Sequence, residues 1–452
     1  MALKETGVDI RIIIPYYKVL NLGKQKRKKI GQISCRYGGV AEKVEIYEVH
    51  HPISDIPVYL LKNKKYLNVA NSLDTYPFFS FAVVAAVKTN AFSWTPAIIH
   101  CNDLHTGLIP LLLKEYKMAT KSMLTIHNIS YQGRTGIEVV HKLGIDQSRC
   151  HVVQWEIESK KINVLLEGII HADIITTVSP TYAREIMTEE YGAGLEDIIR
   201  GKEAKVFGIL NGIDNDWRYF MYHQSVKYPY VTKRQEFPPA TPKTKLYDWK
   251  EGKRRNKLSL QRKLGLKVDG SLPLLSFIGR LDPQQKGIDI LHKMLRRIDL
   301  DAYEFVILGT GDVHWQERYE WLSKFFPKHI SCNFVFDEAL AHQIYAGSDF
   351  VLIPSKFEPC GLIQMIAMLF GTLPIAHKVG GLADSISDRV NGFLFNDYSA
   401  EALEKAVNEG ARIWKSDPVK YENMVEAAMR TDFSWNVSAA KYVALYEKLA
   451  TG

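Results

Sequence analysis

Short, nearly continuous apolar runs recur along this chain, each followed by a polar turn and a segment with helical spacing. The first is Asp9-Ile10-Arg11-Ile12-Ile13-Ile14, after a helical opening at Met1 to Glu5 and a turn at Gly7. Ala97-Ile98-Ile99, Met123-Leu124-Thr125-Ile126 and Ile174-Ile175-Thr176-Thr177-Val178 continue the series. A second series comprises Leu274 to Ile278, Phe305 to Leu308, Phe350 to Ile353 and Leu373 to Ala376. Runs that alternate poorly predict strands covered on both faces, as in parallel sheets. Their alternation with helical segments predicts two doubly wound α/β domains. Between the series lies an irregular stretch, roughly 215–249, where Pro229, Pro238, Pro239 and Pro242 disfavour a helix or central strand. It reads as a long linker. The closing segment, Ser434 to Leu449, places Val437, Tyr442, Leu445 and Leu449 near helical spacing and predicts an amphipathic helix.

Composition adds limits. With 452 residues, 46% hydrophobic and 24% charged, the chain has material for two cores. The richest apolar run, Phe78 to Val87, is about half the roughly 20 residues that span a bilayer. The first residues have no apolar signal core and no Arg/Ser-rich transit character, so a cytoplasmic location is expected, with no membrane partner. Five cysteines (Cys35, Cys101, Cys150, Cys332 and Cys360) are scattered and lack Cys-x-x-Cys spacing, which argues against a disulfide framework or zinc site. The formal charge of +8 favours anionic ligands only in general terms. The cluster from Lys24 to Lys29 reads as a solvated loop rather than a nucleic-acid contact.

Ligands of open α/β sheets sit beyond the carboxyl ends of the strands. There the first half offers His100-Cys101-Asn102-Asp103-Leu104-His105 and His127-Asn128-Ile129-Ser130-Tyr131. Two readings stand side by side: these groups hydrogen-bond a sugar, or Asp103 and Asn128 cap helices and His127 is a satisfied core histidine. In the second half, Arg280 follows a strand and Lys286-Gly287 opens a helix, a cationic pair suited to a diphosphate. Phe357-Glu358-Pro359-Cys360-Gly361-Leu362 follows another strand, with Pro359 and Gly361 suited to a first helical turn. Val379-Gly380-Gly381-Leu382 offers bare backbone to a phosphate oxygen. Together these favour a nucleotide-diphosphate ligand, and no His/Asp/Glu spacing resembles a metal site.

Five segments then carry a resemblance: HCNDLHTGLIP (His100 to Pro110), LTIHNISYQG (Leu124 to Gly133), TTVSPTYAREI (Thr176 to Ile186), GILNGID (Gly208 to Asp214) and the long run Phe334 to Ala383. In this order they resemble the bacterial glycogen synthases and plant starch synthases. The resemblance covers nearly the whole chain. It implies a GT-B fold: two Rossmann-like domains facing a central cleft, with a C-terminal helix crossing back to the first. The domains would be 1–214, a linker with an insertion at 215–255, 256–430, and the crossover helix 431–452.

The resemblance also implies transfer of glucose from ADP-glucose to the 4-hydroxyl of an α-1,4-glucan such as glycogen or a maltooligosaccharide. It implies retention, with no metal and no cofactor. By position, Asp103 and His127 would face the glucosyl group, and Asn128 and Asn211 would lie in the substrate site. Arg280 and Lys286 would bind diphosphate. Glu358 would hold glucose hydroxyls, with Cys360, Gly361 and Leu362 beside it. Gly380, Gly381 and Leu382 would offer amides to phosphate, and Phe336 would stack on adenine. Three departures are expected to matter. The family's opening strand and Lys-x-Gly-Gly-Leu loop are absent from this sequence; Trp217 to Gln235 looks inserted; and Ile363 and Ile366 replace the usual Thr and Tyr. The alternatives are a catalytically impaired glucan- or nucleotide-binding protein and a UDP-glucose-using relative. Another GT-B hexosyltransferase such as a sucrose synthase is disfavoured by HNISYQG and EPCGL together.

Overall fold

The computed structural model describes residues 1–23, 25–68, 74–146, 148, 150, 160–214, 217, 225–231 and 245–451. The chain forms two compact units, one of residues 1–209 with 436–452 and one of residues 210–435. Among the described residues no helix is long and apolar enough to cross a membrane.

The first unit holds two four-stranded sheets. One is mixed: β1 (Ile12–Pro15) pairs in parallel with β4 (Pro57–Lys62), which continues antiparallel to β3 (Val40–His50) and β2 (Lys28–Tyr37). This departs from the expected wholly parallel sheet, and β1 is a half-buried edge rather than a strand covered on both faces. The reason is legible in β2, where buried Ile33, Cys35 and Tyr37 alternate with exposed Gln32, Ser34 and Arg36. The turn Gly38-Gly39 has φ +59 and +79, the two positive dihedrals that a two-residue hairpin loop requires.

The other sheet of this unit is parallel, in the order β10-β9-β6-β5: Val206–Gly208, Ile174–Thr177, Lys121–Ile126 and Ile98–Asn102. A short antiparallel ribbon pairs β7 (Arg134–Gly136) with β8 (Lys161–Asn163). The C-terminal helix, Trp435–Thr451, packs on β5, where Tyr446 Oη lies 2.7 Å from His100 Nδ1.

The second unit is built on one six-stranded parallel sheet. Its strands are β13 (Leu274–Ile278), β14 (Glu304–Leu308), β15 (Ile330–Asn333), β16 (Phe350–Ile353), β17 (Leu373–His377) and β18 (Phe393–Phe395). The order is β15-β14-β13-β16-β17-β18. The chain winds outward one way from β13 and then the other way from β16, so the switch point lies between them. All residues of β14, β16 and β17 are buried, including Glu304 and His377 at the ends of otherwise apolar runs.

The proposed linker needs correction. A helix runs Trp249–Leu264, so a boundary at 255 would cut it, and Tyr230–Val231 (β11) pairs in parallel with Tyr247–Asp248 (β12). Tyr230 is fully buried and its hydroxyl donates to the Phe370 carbonyl at 2.6 Å. These residues are therefore packed into the second unit. Most of the proposed insertion, Trp217 to Gln235, lies outside the described residues.

Candidate active site

In the second unit, the residues singled out from sequence converge on the carboxyl ends of β13 and β16. After β13, Arg280 is exposed and its Nη2 donates to Gln285 Oε1 at 2.9 Å. Lys286 and Gly287 precede the helix Ile288–Leu295. Gly287 has φ +64, and a Cβ there would lie 1.8 Å from the Pro354 carbonyl. Only glycine lets this helix start press against the loop that leaves β16.

That contact brings Lys286 Nζ to 2.6 Å from Glu358 Oε2. Ser355 Oγ donates to the same oxygen at 2.9 Å. Glu358 is only 8% exposed. A carboxylate this enclosed is tolerable because a cation and a hydroxyl both bind it. Both donors meet Oε2, which leaves Oε1 as the acceptor available to a ligand hydroxyl.

The neighbouring loops support this pair. Pro359 and Gly361 do not form a first helical turn as expected: the helix begins at Ile363, and Gly361 precedes it with φ +69. The left-handed conformation at Gly361 is what delays the helix. Gln364 Nε2 reaches the carbonyls of Cys360 and Gly361 and Ser385 Oγ, tying the loop to the helix Gly380–Ser385. Gly380, Gly381 and Leu382 form the first turn of that helix. The Gly381 amide donates to the Glu358 carbonyl at 3.0 Å and the Leu382 amide to the Val379 carbonyl at 3.0 Å. A Cβ on Gly381 would sit 2.0 Å from the Cys360 carbonyl, so the glycine secures close approach of the two loops.

Burial pushes the Cys360 thiol up to about 12, which makes it a neutral packing group rather than a nucleophile. The Asn211 main-chain amide lies against its sulfur, and Asn211 Oδ1 is enclosed without a hydrogen-bond partner among the described residues. Leu362 is half exposed. Phe336, beyond β15, is 97% exposed, a bare ring at a strand end of the same sheet.

The first unit gathers its candidates at the ends of β5 and β6. Asp103 does not cap a helix with its side chain; its Oδ1 accepts the His127 amide N–H at 2.7 Å. Its backbone is strained, with φ +50 in a residue other than glycine. His127 is half buried rather than a core histidine, and its Nε2 lies 3.0 Å from Asn102 Oδ1. Asn128 caps no helix either: its Oδ1 accepts the Ser130 amide and closes a turn. Beneath them, burial pushes His100 down to about 4, so it stays neutral between Thr125 Oγ1 and Tyr446 Oη.

Sequence reasoning did not single out Ser355, Gln285, Gln364 or Asn102. Ser355 and Asn102 each sit at a strand end, and that position was the available signal. Gln364 carried none, because a helical glutamine reads as surface until its burial is seen. Among the described residues no three His, Cys, Asp or Glu side chains converge as metal ligands would.

Comparison with known proteins identifies the family. Residues 1–201 match the family described as the starch synthase catalytic domain, and residues 273–411 match the glycosyl transferases group 1 family. Glycogen synthase of Geotalea daltonii is 36% identical over 98% of this chain and 92% of its own length. That of Thermodesulfovibrio yellowstonii is 38% identical, with the same shares covered. Among solved structures, the catalytic domain of starch synthase IV from Arabidopsis thaliana, bound to ADP and acarbose, is similar with a TM-score of 0.83 and 30% identity. That likeness spans 100% of this chain and 94% of the other. Sucrose-phosphate synthase from Thermosynechococcus elongatus, at 19% identity and a TM-score of 0.55 over 89% and 86% of the two chains, shares the fold alone. The fold is GT-B, and the chain belongs to the glycogen synthase and starch synthase family of glycosyltransferases.

Proposed function

We propose that this chain transfers glucose from ADP-glucose to the non-reducing 4-hydroxyl of an α-1,4-glucan, with retention at the anomeric carbon. The observation that carries this reading is the Lys286–Glu358 pair at the switch point of the six-stranded sheet, with Arg280 on the same loop. The starch synthase relative solved with ADP and acarbose supports the adenine nucleotide and the oligosaccharide acceptor.

The roles follow from charge. Cleavage of the bond between the anomeric carbon and the diphosphate leaves negative charge on the phosphate, and Arg280 and Lys286 neutralise it. Glu358 Oε1 accepts a glucose hydroxyl, and the exposed Phe336 ring stacks on the base. The acceptor 4-hydroxyl attacks as its proton passes to the departing phosphate, so atoms and charge balance without a protein nucleophile. His127 and Asp103 are assigned to the sugar by their positions in the family motifs. The cationic pair supplies charge neutralisation without a metal, and excess EDTA is expected to leave the rate unchanged.

The test is incorporation of labelled glucose into maltooligosaccharides from ADP-glucose and, separately, UDP-glucose. A higher kcat/KM with ADP-glucose supports the reading. Preference for UDP-glucose would overturn the donor assignment while keeping the enzyme class.

A further inference from the structure

His377 ends β17 and is 5% exposed. Its Nδ1 lies 2.8 Å from the Ser355 carbonyl oxygen and its Nε2 lies 3.0 Å from the Asn396 carbonyl oxygen. Both partners can only accept. The imidazole therefore bridges two main-chain oxygens, and its tautomer decides which of them receives the ring N–H. The ring is held between its partners by Phe395, stacked at 5.4 Å, and by Tyr398 at 5.6 Å.

Those partners join the ends of three strands. Ser355 lies beyond β16, Asn396 beyond β18, and the Lys378 amide next to His377 donates to the Phe395 carbonyl at 2.9 Å. The Ser355 hydroxyl in turn donates to Glu358 Oε2. We propose that His377 is a positioning residue for glucosyl transfer. Through its ring contact with the Ser355 carbonyl it fixes the Ser355 main chain, and Ser355 sets the angle at which the Glu358 carboxylate meets the sugar. The proposal rests on the reading of Glu358 as the ligand of glucose hydroxyls.

The experiment compares His377→Ala, His377→Arg, Ser355→Ala and Glu358→Gln with the wild-type chain, measuring kcat, donor KM and ADP affinity. A small misplacement of a group touching substrate costs roughly 10- to 100-fold in turnover. His377→Ala is expected to lose kcat on that scale with ADP affinity unchanged. His377→Arg, which offers donors on separate nitrogens, is expected to recover most of it. Ser355→Ala, which removes only the hydroxyl link, is expected to lower kcat in the same way, and it decides the matter should His377→Ala fail to fold. Wild-type turnover in Ser355→Ala, or His377→Arg no better than a folded His377→Ala, overturns the proposal. Wild-type turnover in Glu358→Gln instead overturns the underlying reading of Glu358.

Discussion

The ammonium of Lys286 and the carboxylate of Glu358, 72 residues apart in sequence, meet at 2.6 Å between the ends of β13 and β16. Each reaches that point for a backbone reason: Gly287 lets one loop approach, and Gly361 with its left-handed φ delays the helix behind the other. The pair is preorganised before any donor arrives. A nucleotide sugar placed there would find its acidic end beside the cation and its hydroxyls beside the anion.

Replacing Glu358 with Gln keeps the side-chain volume and removes the charge. The lost contact is worth roughly 1.5–3 kcal/mol, or about 10- to 150-fold in transfer rate. ADP affinity, measured calorimetrically, is expected to stay close to wild type. An unchanged rate would contradict the assigned role.

Arg280→Ala and Lys286→Ala each remove one charge-assisted contact to diphosphate. Each is expected to weaken ADP binding by about 10- to 150-fold and to slow transfer. Arg280 is the cleaner test, since it is exposed and its loss strands no buried carboxylate. Wild-type ADP affinity in both variants would remove the diphosphate clamp from the account.

Cys360 is expected to resist iodoacetamide at pH 8 in the folded protein, because burial holds its thiol near 12 and the reactive thiolate is scarce. Cys360→Ser is expected to transfer glucose at close to the wild-type rate. Rapid alkylation with loss of activity would make the sulfur a participant rather than a packing group.

Glu304, at the start of β14, is fully buried, and that burial pushes its carboxyl up to about 7 against the opposing contacts of Gln261 and Lys257. The folded chain therefore holds this proton more tightly than the unfolded chain. The stability it contributes is fully present below the ordinary value of 4.5 and is lost as pH rises through about 7. At most about 3 kcal/mol is involved. Glu304→Gln cannot ionise, so its advantage over wild type in urea denaturation is expected to grow from pH 4.5 to pH 7.5. A difference that does not vary with pH would contradict this.

Much of the second unit was legible in the sequence, because β13, β14, β16 and β17 are nearly continuous apolar runs and each ends at a polar loop. The positions of Arg280, Lys286 and Glu358 followed from those ends. What escaped was tertiary: nothing local announces that Ser355 shares an oxygen with Lys286, or that Gln364 is buried. The first unit was read less well. The hairpin of β2 and β3 shows a period of two and a Gly38-Gly39 turn, but attention to apolar runs passes over strands whose outer face is polar. The stretch around Tyr230 reads as linker because its prolines break regular structure, yet buried Val226 and Tyr230 and the hydrogen bonds between Tyr228 and Asn256 anchor it to the second unit.

The most direct test of the central claim is transfer of radiolabelled glucose from ADP-glucose to glycogen by this chain, with Glu358→Gln assayed beside it. Label is expected in α-1,4-linked glucan from the wild-type chain, with a large loss in the variant. Glycogen binding without incorporation by the wild-type chain, or equal incorporation by both, would contradict it.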